Sequence, residues 1–155
     1  MLCAVLPAFH SFTGCDYTPA FSRKGKKRPL AILEKDQRYQ KVFAELGGEA
    51  RNETVVQAIE DFTCLLYGAK KPMALNKYRH RVFEIAYAPK DPAKPFAKMK
   101  GVEASSLPPC EAEVRQQIER TAFVAKYWHD AHLNSVTKIP SKGWELIDDT
   151  SFCVV

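Results

Sequence analysis

The chain lacks most of the devices by which a short sequence announces its chemistry. Its five cysteines, Cys3, Cys15, Cys64, Cys110 and Cys153, are scattered and odd in number, and no two stand at C-x-x-C spacing. That excludes a disulfide framework and a structural zinc site, and fits reduced, mostly buried thiols. No apolar run reaches membrane-spanning length, so no membrane partner is expected. Met1 to Phe9 is apolar but short and has no basic flank, so it does not read as a signal peptide. Both absences point to an intracellular protein, nuclear or cytoplasmic. In that setting the glycosylation sequon Asn52-Glu53-Thr54 is a chance match. No glycine-rich dinucleotide loop, P-loop, nucleophile elbow, internal repeat or low-complexity segment is present. His10, Ser11 and Cys15 are neighbours without an elbow or a partner acid, so no catalytic residue is assigned.

What is there describes a globular chain. Of 155 residues, 46% are hydrophobic and 26% charged, which allows a buried core and argues against disorder. The length suits one domain and is marginal for two. The net charge of +5 mildly favours an anionic partner. The ends, "MLCAVLPAF" and "SFCVV", are apolar where chain ends are normally solvated. They suggest a piece of a longer polypeptide, with a protein partner or a missing upstream domain covering them.

Periodicity predicts mainly helix. Leu2, Val5, Leu6 and Phe9 recur at helical spacing, with Pro7 in a first turn or at a kink. A helix is expected from Pro29, with Leu30 and Leu33 on one face. Asp36 can cap the next, whose stripe is Tyr39, Val42, Phe43 and Leu46 and whose stop is Gly47. Asn52 caps a strongly apolar helix through Leu66, stopped by Gly68. Asn76 opens another, carrying Val82, Phe83, Ala86 and Tyr87. Lys90 to Lys100 reads as an exposed connector. After Pro108 and Pro109 comes the longest helix, with Val114, Ile118, Thr121, Ala125 and Trp128 on one face. "GWELI" and "SFCVV" flank Asp148-Asp149-Thr150 as a short hairpin.

Two features carry chemistry. Asp16 lies in the turn-rich loop "TGCDYTP", where a rigid turn can aim a carboxylate at Mg²⁺. The plain alternative is a turn aspartate bonded to the backbone two residues on. Next comes the cluster Arg23, Lys24, Gly25, Lys26, Lys27 and Arg28. The charges suit phosphate oxygens, Gly25 permits close backbone approach, and a following helix N-terminus adds partial positive charge. Its plain alternative is a solvated charge run or a localisation signal. His129 and His132 stand at i and i+3 but lack a third ligand, so they read as helix-end histidines. Phe123, Tyr127 and Trp128 could stack on bases, but Trp128 is in the apolar register and fits core packing.

"TGCDYTPAFSRKGKKRPLAIL" resembles a segment of flap-endonuclease/XPG-type nucleases, a branch of PIN-like folds, that reads approximately L-G-x-D-Y-x-x-G-I-x-G-I-G-x-x-x-A. Gly14, Asp16 and Tyr17 match its G-x-D-Y core, Gly25 stands near the hairpin glycine, and Lys26, Lys27 and Ala31 fall where the hairpin becomes a helix. This resemblance covers about Leu6 to Asp36. Nearly the whole chain, including "LPPCEAEVRQQIERTAFVAKYW" and "GWEL", looks like a group of invertebrate proteins associated with mobile elements that carry T-G-C-D-T and G-K-G-K-K motifs.

The nuclease resemblance implies that Asp16 is a metal ligand and that Gly25, Lys26 and Lys27 contact nucleic-acid backbone. The family's other catalytic carboxylates lie upstream, in motifs that this chain does not contain, and Arg23-Lys24 replaces part of its glycine-rich hairpin. One carboxylate cannot operate a two-metal site. Mg²⁺ is thus expected only together with upstream acidic residues. The expectation is a mainly α chain: residues 1–48 as the C-terminal remnant of a PIN-like α/β nuclease domain with its basic turn, and 49–155 as a helical region with a C-terminal β-hairpin. The function expected is nucleic-acid backbone binding by a nuclease-related fragment that is catalytically incomplete alone. The alternative is a non-enzymatic helical protein-interaction module derived from a mobile element.

Overall fold

A computed structural model of the chain describes residues 2–46, 52–87, 93, 103–133, 144–146 and 152–154. They are mainly helical. Six α-helices follow in order: α1 Leu2–Phe12, α2 Lys27–Lys35, α3 Gln37–Leu46, α4 Glu53–Leu66, α5 Leu75–Tyr87 and α6 Glu111–His129. Two short strands, β1 Trp144–Leu146 and β2 Phe152–Val154, pair antiparallel. Among the described residues there is no parallel sheet.

The helix ends follow the local chemistry of the sequence, with three departures. Pro7 sits in the second turn of α1, where its missing N–H leaves the Cys3 carbonyl without its helical donor. Helix α2 begins at Lys27, two residues before Pro29, which falls among the first N–H positions that have no helical acceptor in any case. Asn76 does not open α5. Its Oδ1 instead accepts from the Glu111 N–H at 3.1 Å and so caps α6 from a neighbouring helix. The other caps are as expected. Asp36 Oδ1 accepts from the Arg38 N–H at 2.8 Å, and Asn52 Oδ1 from the Val55 N–H at 2.9 Å. Glu113 closes a capping box on the Cys110 N–H at 2.7 Å. The expected stop at Gly47, and the Lys90–Lys100 connector apart from Ala93, lie outside the described residues.

The core is aromatic and runs across residue 48. Phe9, Phe12, Tyr39, Phe43 and Phe62 are buried in one cluster with Ile59, Val114 and Ile118. Phe43 and Phe62 meet edge to face at 5.1 Å, Tyr39 and Phe62 at 5.3 Å, and Phe12 and Phe43 at 5.6 Å. Such pairs contribute about 0.5–1.5 kcal/mol each beyond burial. Helix α1 packs on α3 and α6, α4 joins α3 to α6, and α2 lies against α3 and α4. Helix α5 packs chiefly on α4, and this brings its basic sequence beside the 23–28 turn.

Candidate nucleic-acid interface

The loop after α1 is a hydrogen-bonded scaffold. Thr13 Oγ1 donates to the Phe9 carbonyl at 2.8 Å. Gly14 has φ +106°, and a Cβ there would lie 2.5 Å from Ala20 Cβ. No other residue fits that conformation and that contact together. Cys15 and Thr18 exchange backbone hydrogen bonds of 3.0 and 3.3 Å. Thr18 Oγ1 also donates to the Ser11 carbonyl at 2.5 Å.

Asp16 and Tyr17 form the exposed tip of this two-residue turn. The backbone and Thr18 close it, so the Asp16 carboxylate is not needed to hold it. Asp16 stands near His10, where it opposes the lowering of the imidazole pKa by burial and by the Lys26 charge. Among the described residues no group of three His, Cys, Asp or Glu side chains is placed to hold a metal ion. One exposed carboxylate at a turn tip is not a donor set for catalytic Mg²⁺. The side chains present therefore do not fit that ion, and no reaction step is derived through it.

The basic turn is largely turned inward. Lys26 Nζ donates to the His10 carbonyl at 3.0 Å, to Thr13 Oγ1 at 3.0 Å and to the Gly14 carbonyl at 2.6 Å. All three ammonium donors are thereby engaged. Lys26 is a C-terminal clamp on α1, where a cation also meets the negative end of the helix dipole. Burial lowers its pKa, and the Cys15 thiol opposes that shift. Arg28 Nη2 reaches the Leu65 carbonyl in the last turn of α4 at 3.4 Å. Lys24 Nζ lies over the Tyr67 ring at 4.3 Å. Its pKa is lowered by burial first and by Arg28 second. Arg23, in the left-handed region at φ 56°, pairs with Glu103 at 2.9 Å on the surface. Gly25, at φ +53°, has open space around it. Lys27 is exposed and has no ion pair among the described residues.

Sequence reasoning missed the second half of this surface. Residues 67–83, "YGAKKPMALNKYRHRVF", contain Lys70, Lys71, Lys77, Arg79 and Arg81 and no acidic residue. A count of carboxylates along the chain would have found it. The fold lays this segment beside the first. A Cβ on Gly68 would lie 3.4 Å from Arg28 Nη2 and 3.8 Å from the Tyr78 hydroxyl. Arg28 and Arg81 both act on the Tyr78 phenol, drawing its pKa down against burial, which raises it. Arg79 donates to the Pro108 carbonyl. Lys70, Lys71, Lys77 and Arg81 are exposed and make no ion pair among the described residues.

The two histidines stay at the end of α6. His129 Nδ1 is 3.0 Å from Asp130 Oδ1, and His132 Nδ1 is 2.9 Å from the His129 carbonyl. Trp128 is half-buried and stacks at a tilt on His10, with ring centres 5.8 Å apart. No helix among the described residues is long and apolar enough to cross a membrane. Comparison with protein-family models, with curated proteins and with solved structures finds no match to this chain.

Proposed function

We propose that this chain binds nucleic acid through its phosphodiester backbone, without catalysis of its own. One observation carries the reading: two acid-free segments, Tyr17–Leu33 and Tyr67–Phe83, each with five Lys or Arg residues, are packed side by side. Lys26 and Arg28 lock the segments to helix ends. Lys27, Lys70, Lys71, Lys77 and Arg81 offer the charge to solvent. A polyanion with charges every few ångströms fits such a face better than a single small anion does. The G-x-D-Y resemblance supports the same reading from another side: this would be the backbone-binding part of a PIN-like, XPG-type nuclease, with no complete set of catalytic carboxylates.

The test is binding of a labelled DNA duplex by fluorescence anisotropy at several salt concentrations. Replacing Lys27, Lys70, Lys71 and Lys77 together by Gln should weaken binding and flatten the log–log salt slope by about three. The thermal midpoint should stay unchanged, because none of the four holds the fold together. Wild-type binding that is absent, or indifferent to salt, would refute the reading.

A further inference from the structure

Beside the basic face lies a cleft of about 410 Å³ between the loop after α1, the end of α4, the 3-10 turn Ala104–Ser106 and α6. That volume falls within the range of about 300–1,000 Å³ usual for small-molecule sites. Phe21 and Tyr67 line it, with ring centres 6.2 Å apart and planes at 86°. Gln116, Gln117, Arg79 and Arg120 supply its polar lining. Arg120 is only 8% exposed. Gln117 is pinned by donating to the Phe12 and Pro19 carbonyls at 3.1 and 2.9 Å. Its Oε1 is buried without a hydrogen-bond partner. The wall of the cleft thus carries an acceptor that the protein itself leaves unsatisfied.

We propose that this cleft takes one unpaired nucleotide of a single strand whose backbone runs along the basic face. The inference rests on the backbone-binding reading and adds a substrate class to it. Two segments tie the cleft to that face. Tyr67 is both a cleft wall and the ring beneath Lys24. Arg79 lines the cleft from within the second basic segment. A nucleobase is planar, stacks on aromatic rings and presents N–H donors and acceptors at its edge, as this lining requires. Paired bases in a duplex cannot enter without being unstacked, so insertion selects single strands.

The experiment compares a labelled 12-nucleotide single strand with the duplex of the same sequence by anisotropy. Wild type should bind the single strand about tenfold tighter, the scale of one stacked base. Ala104→Trp, which places a large side chain at the exposed edge of the cleft, should remove the preference and leave duplex affinity and its salt slope unchanged. Phe21→Leu keeps apolar bulk against the core but removes the ring, and should lose most of the preference as well. Equal affinity of wild type for the two forms would overturn the cleft assignment while leaving the basic face standing. So would a preference that survives both substitutions. Absence of salt-dependent binding to either form would overturn the basic face and the cleft together.

Discussion

The two basic segments have the same number of cations and no acids, yet the fold uses them differently. In the 23–28 turn, Lys26 satisfies the end of α1, Arg28 reaches the end of α4, and Lys24 rests on Tyr67. In the 70–81 stretch, Lys70, Lys71, Lys77 and Arg81 face solvent without ion pairs among the described residues. Density of charge in a sequence therefore does not rank segments as ligand contacts. A lysine next to a helix end has carbonyl oxygens to bind, and these compete with any phosphate. The segment that looked like the binding site is mostly joinery, and the one that looked ordinary carries most of the open charge.

The sharpest way to break this comparison is at Gly14, which fixes the scaffold that Lys26 clamps. Gly14→Ala would force a Cβ to 2.5 Å from Ala20 Cβ at φ +106°. Strain and overpacking together should destabilise the chain by about 3 kcal/mol or more, read by urea unfolding. A change under about 1 kcal/mol would mean that the loop yields and is not a scaffold.

Next in size is Lys26 against Lys27. Lys26→Met removes three charge-assisted hydrogen bonds and leaves the Gly14 and His10 carbonyls to water. A loss of about 2 kcal/mol is expected, reduced by the partial exposure of the site. Lys27→Met should change stability by less than about 0.5 kcal/mol and weaken DNA binding instead. Equal effects of the two on stability would erase the distinction between clamp and open contact.

The fold was largely legible because its signals are local. Asn52 and Asp36 announce helix starts, Gly68 announces a stop, and the stripe Tyr39, Val42, Phe43 and Leu46 is buried as its spacing requires. Pro29 misled by two residues, since proline is tolerated anywhere in a first turn. Asn76 misled because a cap can serve a helix other than its own. The candidate site was half legible. Asp16 and the 23–28 cluster are visible as residue types, but the partners of Lys26 and Arg28 are carbonyls brought in by tertiary packing. The adjacency of residues 24–28 and 67–81 is likewise a product of α2 and α5 both packing on α4, which no local pattern encodes.

The smallest expected effect concerns Lys24, which belongs to neither extreme. Its ammonium is over Tyr67 at 4.3 Å, half-buried, and already disfavoured by desolvation and by Arg28. A cation over a ring at a site of this kind contributes about 0.5–1 kcal/mol. Lys24→Gln relieves the repulsion with Arg28 while losing the ring contact, so the net change in stability should be under about 0.5 kcal/mol. Removing one cation should still lower the duplex salt slope by about one if Lys24 also meets phosphate. A stable variant with an unchanged slope would assign Lys24 wholly to the clamp and leave the backbone contact to Lys27 and the 70–81 stretch. A reduced slope would instead make Lys24 the residue through which the clamp and the open face share one polyanion.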